Sequence, residues 1–194
     1  MTRRVTAWLL FAALGAFILL TLELAYETSL YLQARGFLWP TVVLLSVLVF
    51  AVTLYLTAIS GWVKRPLAYA RAVIPLLLLI TAMMTLRASP SERFHFLEYG
   101  LLYVLALRAV LLDIPGPLAY AVALFPSGLM GWLDEWVQSF SAVRYFDPRD
   151  IWTNALAAAL AGLLALSLLG RRPGMSDKRR DSRGNRSRMA QSEF

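Results

Sequence analysis

The sequence predicts an all-α fold, a polytopic transmembrane helical bundle of about six spans. Hydrophobic residues make up 59% of the 194 residues, whereas a typical soluble domain is about half apolar. They are gathered into long blocks, and the mean hydropathy of the chain is +0.60. The chain has no cysteine and a single histidine, which excludes a disulfide framework, thiolate chemistry and a multi-histidine metal site.

The apolar blocks define the predicted spans, because about 20 helical residues cross the hydrocarbon core of a bilayer. The first block follows Arg3 and Arg4 and has no convincing cleavage site after it, so we interpret it as a signal anchor. The fifth contains Pro126, Gly128 and Gly131, which should bend it or let a neighbouring helix approach closely. The six spans are Val5–Leu24, Phe37–Ile59, Leu67–Leu86, Phe94–Leu112, Pro117–Leu133 and Ile151–Leu169.

The basic residues predict the orientation of the chain in the membrane and distinguish a C-terminal tail from the apolar spans. Residues 171–194 contain eight basic and three acidic residues and no apolar periodicity. We expect them to be a disordered cytoplasmic tail beside anionic lipid, outside a transmembrane domain of residues 1–170, and not a nucleic-acid-binding segment. Lys64 and Arg65 make the connection between the second and third spans basic, and both ends of the chain are basic, so both termini should be cytoplasmic. The connections at 25–36, 87–93 and 134–150 then face outward.

Two polar stretches lie on the predicted outward side. The first is "SERFHFLEYG", Ser91–Gly100, at the start of the fourth span. The second is "GWLDEWVQSFSAVRYFDPRDIWTN", Gly131–Asn154, between the fifth and sixth spans. Ionisable groups at membrane depth are costly, and they tend to be paired and functional. We therefore expect the two stretches to meet at one membrane face. His95 should lie in a hydrogen-bond network with at least one of Glu98, Glu135, Gln138, Arg144, Asp150 and Asn154.

Some of these polar residues have a sufficient structural role as helix caps. "SPSE", Ser89 to Glu92, fits a capping box with Pro90 at the first helical position. "DPRD", Asp147 to Asp150, makes a similar start with Asp147 as the N-cap. Glu92, Asp147 and Asp150 could therefore serve only to begin helices.

The remaining polar residues leave a functional and a structural interpretation open. Glu92, His95 and Tyr99 share a helix face, with Glu98 beside it, and such an array could tune the imidazole for proton transfer or lock helices together. Glu135 and Gln138 are three residues apart, and Asn154 lies about a turn inside the sixth span, where an amide needs a partner. Arg144 could hold a ligand phosphate or carboxylate, or form a simple salt bridge.

The type and order of these residues resemble the VanZ-like family of small bacterial membrane proteins. The resemblance covers about residues 91–162, under half of the chain. The chain differs from the family pattern after Asn154, where alanines stand in place of an early glycine and Gly162 comes later. The matching positions are Glu92, Arg93, His95, Tyr99, Glu135, Gln138, Arg144, Asp150 and Asn154.

The resemblance implies a role in the cell envelope, at the bacterial cytoplasmic (inner) membrane. The family's namesake is associated with resistance to the glycopeptide antibiotic teicoplanin, and no reaction is implied. The first hypothesis is an outward-facing pocket that binds an envelope component, lipid-linked or phosphate-bearing, with positive charge from Arg93 and Arg144. The expected ligand-binding residues are Arg93, His95, Tyr99, Glu135, Gln138, Arg144, Asp150 and Asn154.

Two further hypotheses are kept. One is an acid–base enzyme acting on a lipid-linked precursor, with His95, Glu98 and Glu135 as candidate catalytic residues. The other is a structural or accessory subunit of a larger membrane complex, in which the polar residues only lock helices. No cofactor and no metal site are expected, because one imidazole makes a zinc site unfavourable.

Overall fold

The computed structural model describes residues 2–59, 66–85, 92–141 and 146–169, and all regular secondary structure in these ranges is helical. The all-α prediction is therefore confirmed. The helices are α1 (Arg3–Leu20), α2 (Leu22–Ala34), α3 (Leu38–Ile59), α4 (Pro66–Thr85), α5 (Glu92–Val110), α6 (Leu118–Val122), α7 (Leu124–Gln138) and α8 (Pro148–Leu169).

Several predicted features lie outside the described residues. These are the tail of residues 171–194, the Lys64–Arg65 connection, the Ser89–Pro90 cap and Arg144. Glu92 and Arg93 belong to α5, but their side chains are outside the description.

Within the described ranges, two helices are long and apolar enough to cross a membrane, Arg3–Leu20 and Pro148–Leu168. A third crossing results if Leu22–Ala34 and Leu38–Leu48, which are bent by 119°, form one span. These helices fit a membrane protein, but the six predicted spans are not confirmed. Helix α5 was predicted to be a span but is not among these candidates. Its 19 residues include Glu92, Arg93, Glu98 and Arg108, which are too many charges for an ordinary lipid-facing span.

The first predicted span was expected to continue to Leu24, but α1 ends at Leu20. At Thr21 the side-chain hydroxyl donates to the Phe17 carbonyl at 2.7 Å, and such side-chain bonds compete with the regular helical pattern. Helix α2 begins at the next residue and ends in a Schellman motif. There Gly36 has a φ of 74°, and the amide of Phe37 donates to the Leu32 carbonyl at 2.8 Å.

The fifth predicted span, Pro117–Leu133, is wrong as a single helix. It is divided at Ala123 into α6 and α7, and α7 continues past Leu133 to Gln138. Pro126 explains the break, because proline has no amide hydrogen to donate to the carbonyl of Val122 and its ring disfavours a helix through that turn. The extension of α7 carries the polar residues after Leu133 on a helix and not on a loop.

Helix α5 lies at the centre of the packing and contacts α1, α7 and α8. Its aromatic and aliphatic side chains form much of the core, and α8 presents small residues to them. A Cβ atom at Gly162 of α8 would lie 2.9 Å from both the Cζ and the hydroxyl of Tyr103. That hydroxyl donates to the Tyr120 carbonyl at 2.9 Å. The buried residues of α5 include Phe96, Tyr99, Leu102, Tyr103, Ala106, Leu107, Ala109 and Val110.

The outer helices expose large apolar side chains, including Phe17 of α1, Leu44 of α3 and Ile74 of α4. Apolar surface on this scale fits contact with lipid. A long-range contact joins α2 to the end of α7, since the Ser141 hydroxyl donates to Glu23 Oε1 at 3.1 Å.

Substitution Gly162→Ala should destabilise the bundle by about 1 to 3 kcal/mol, because overpacking displaces the buried Tyr103 ring and its hydrogen bond. Gly128→Ala is the matched control, since a Cβ there would meet nothing within 4 Å. It should be neutral or stabilising by about 0.5 to 1 kcal/mol. Thermal unfolding of the detergent-solubilised protein measures both. Equal stability of the two variants would contradict the described packing of α5 against α8.

Candidate functional site

The two polar stretches of the sequence meet where α5, α7 and α8 come together. Gly131 of α7 permits the approach, since a Cβ atom there would lie 3.1 Å from Asn154 Cβ and 3.4 Å from Tyr99 Cε1. Helices α7 and α8 are connected by a short segment, so the end of α7 lies beside the start of α8. We call the residues gathered there the polar cluster: His95, Glu98, Tyr99, Asp134, Glu135, Gln138, Asp150 and Asn154.

His95 lies between two carboxylates. Its Nδ1 is 3.2 Å from Glu98 Oε2 on the same helix and 3.8 Å from Asp134 Oδ2 on α7. The His95 ring also lies against Tyr99, with ring centroids 5.9 Å apart. His95 is buried, whereas the Glu98 side chain is 27% exposed. Nδ1 of the imidazole therefore lies between a carboxylate of its own helix and one of α7.

Asp134 belongs to a stretch that was expected at this face, but it was not among the predicted ligand-binding or catalytic residues. It is fully buried, and the Tyr99 hydroxyl donates to its Oδ2 at 2.9 Å. Asp134 therefore links Tyr99 and His95 of α5 to α7. A signal for it exists in the sequence, because Asp134 lies three residues after Gly131 and four before Gln138, the spacing of one helix face.

Glu135 is directed at the beginning of α8. Its Oε2 accepts a hydrogen bond from the Asp147 amide at 3.0 Å. Asp147 in turn caps α8, since its Oδ1 accepts from the Arg149 amide at 2.9 Å. The predicted N-cap role of Asp147 is therefore confirmed. Asp150 is buried in the first turn of α8.

Buried polar atoms without partners distinguish the rest of the cluster. Gln138 and Asn154 are each 1% exposed. In the part of the chain that the structure describes, neither amide nitrogen and neither amide oxygen of these residues has a hydrogen-bond partner. The same holds for Asp134 Oδ1 and Glu135 Oε1. Such atoms cost about 1 to 3 kcal/mol each when left unsatisfied, so this part of the bundle is built at the expense of stability.

The chemistry that the cluster offers is hydrogen bonding and proton transfer. No group of three or more histidine, cysteine or acidic side chains in the described ranges is arranged to hold a metal ion. Of the predicted site residues, the structure brings together His95, Tyr99, Glu135, Gln138, Asp150 and Asn154. The side chain of Arg93 and all of Arg144 lie outside the description.

Comparison with known proteins gives no relative. No family model matches the chain, and neither does any curated protein or solved structure.

Glu135 lies beyond the fifth predicted span and outside each candidate membrane-spanning helix. Burial raises the pKa of its carboxyl group to about 7, and nearby Asp150 and Asp134 act in the same direction. The hydrogen bond from the Asp147 amide opposes the shift, as does His95.

This raised pKa predicts a pH-dependent stability. Between pH about 4.5 and 7, the Glu135 carboxyl group is protonated in the folded state and ionised in the unfolded state. The free energy of unfolding therefore decreases as the pH rises through this range. Glu135→Gln, which stays neutral, should match the wild type at pH 5. At pH 8 it should be more stable by on the order of 2 kcal/mol. Thermal unfolding at both pH values tests this, and a variant that is less stable at pH 8 would contradict the assignment.

Proposed function

We propose that this chain is an integral membrane protein whose polar cluster binds a component of the bacterial cell envelope, lipid-linked or phosphate-bearing. The resemblance of the polar residues to the VanZ-like family supports the envelope as the place of action. The apolar helices support a location in a membrane, proposed here as the cytoplasmic membrane. Resistance to a glycopeptide antibiotic is one envelope role consistent with this resemblance.

The observation that carries the proposal is the pair of buried, unpartnered amides, Gln138 and Asn154. A ligand that formed hydrogen bonds with these amides would offset the free-energy cost of burying them without partners. The carboxylates of Asp134 and Glu135 each keep one oxygen without a partner, so the groups able to contact a ligand come from both α7 and α8.

The same observation weighs against a cluster that only locks the helices. A network retained for packing is usually satisfied internally, because a half-satisfied buried network is less stable than an apolar core. The bond from Tyr99 to Asp134 fits a locking role. The two amides do not, since no described group bonds to them.

The proposed topology keeps six spans with both termini in the cytoplasm. The basic Arg3, Arg4, Lys64 and Arg65 support it through the positive-inside rule. In this arrangement the polar cluster lies toward the outer face of the membrane. Arg93 and Arg144 would then supply positive charge for a phosphate group.

Asn154→Leu tests the binding function. Leucine has the same branching and the same number of side-chain heavy atoms as asparagine and removes two unpartnered polar atoms, so the variant should equal or exceed the wild type in thermal stability. It should nevertheless lose an envelope component that copurifies with the wild type, by about tenfold or more, measured by mass spectrometry of the bound lipid fraction.

Asp113→Asn is the matched control, since Asp113 lies on the far side of the bundle, paired with Arg4 at 3.1 Å. It should keep the copurified component. An Asn154→Leu protein that loses stability but keeps every bound molecule would identify the cluster as a helix lock.

Reporter fusions test the topology. A reporter fused after Phe194 should behave as cytoplasmic, and one inserted between Ser139 and Arg144 should behave as external, because basic segments stay inside. Reversed signals would place the polar cluster at the cytoplasmic face and remove extracytoplasmic envelope components as its ligand.

A further inference from the structure

We propose that the group recognised by the polar cluster is a primary ammonium, carried by an aminophospholipid headgroup or a small free amine. This inference rests on the proposed binding function and specifies its ligand chemistry.

The inventory of unpartnered atoms favours a ligand that donates hydrogen bonds. Four oxygens in the cluster have no partner among the described residues, namely Asp134 Oδ1, Glu135 Oε1, Gln138 Oε1 and Asn154 Oδ1. The amide nitrogens in the same position are those of Gln138 and Asn154, while the imidazole of His95 already lies beside Glu98 and Asp134. A primary ammonium carries three N–H donors and no acceptor, so it complements this excess of oxygens.

The placement of these atoms makes them one site. Gln138 follows Asp134 by four residues and Glu135 by three, so its side chain neighbours both of theirs on the surface of α7. Asn154 faces this helix from α8, since its Nδ2 would lie 3.6 Å from a Cβ atom at Gly131. All four side chains are 1% exposed or less.

The charge of the cluster points the same way. Its described side chains include the carboxyl groups of Glu98, Asp134, Glu135 and Asp150, against the single imidazole of His95. Carboxylates attract an ammonium and repel a phosphate, and both effects are strong where water is excluded. A phosphate on the same molecule would therefore lie outside this group of oxygens.

Glu98 marks the edge at which the site meets its surroundings. Its side chain is 27% exposed, whereas that of Asp134 beside it is fully buried, and both approach His95 Nδ1. An ammonium entering from the membrane interface would contact Glu98 first and the oxygens of α7 and α8 afterwards. A quaternary ammonium could share the charge but has no N–H to donate.

Lipid binding to the purified full-length chain tests the proposal, with phosphatidylethanolamine, phosphatidylcholine and phosphatidylglycerol titrated separately and followed by native mass spectrometry. Phosphatidylethanolamine should bind about tenfold or more tightly than phosphatidylcholine, because only its headgroup donates charge-assisted hydrogen bonds. At pH 8, above the pKa of Glu135, the preference should vanish in Asp134→Asn and in Glu135→Gln and persist in Asp113→Asn. Competition by ethanolamine, but not by choline, would identify a free amine as a sufficient ligand.

The comparison of lipids on the wild-type protein keeps the test valid if a variant fails to fold. Equal affinity for the three lipids, or a preference for phosphatidylglycerol, would overturn the ammonium proposal. If binding without amine preference still depends on Asn154, the proposed function survives this failure. If no binding depends on Asn154, both proposals are wrong.

Discussion

The close approach of α7 to α5 and α8 at Gly131 is the constraint on which the rest of this bundle depends. A side chain at this position would displace Asn154 or Tyr99. Without the approach, Asp134 could not reach the Tyr99 hydroxyl, and His95 would have only the carboxylate of its own helix nearby. Small residues give helices in a membrane this proximity where the hydrophobic effect between them is weak.

The central position of α5 follows from the mixture of charged and apolar residues along this helix. A helix with so many charged residues is poorly suited to lipid, yet it also carries a long run of buried aromatic and aliphatic side chains. Surrounding it with α1, α7 and α8 shields its polar end and uses its apolar face for packing. Large apolar side chains are instead exposed on helices such as α1, α3 and α4.

Much of this arrangement could be predicted from the sequence, and the failures have physical reasons. The helical class and the bounds of α3, α4 and α8 followed closely from apolar blocks, since composition and length are enough for such segments. The break at Ala123 did not, because Pro126 was expected to bend the helix and not to divide it. Asp134 was not counted among the predicted ligand-binding residues, because its bond to Tyr99 joins two helices and cannot be inferred from the periodicity of one segment. That the amides of Gln138 and Asn154 have no described partner depends on how three helices pack, and the hydrophobic periodicity of the sequence does not reveal it.

The bond between Ser141 and Glu23 joins residues 118 positions apart, and this separation has a consequence for biogenesis. At synthesis rates of about 5 to 20 residues per second, roughly 6 to 24 s pass between the appearance of the two partners at the ribosome. During this interval the beginning of α2 must be solvated by water or by lipid headgroups. The α2–α3 segment therefore cannot gain this contact until α7 and the residues that follow it have been synthesised.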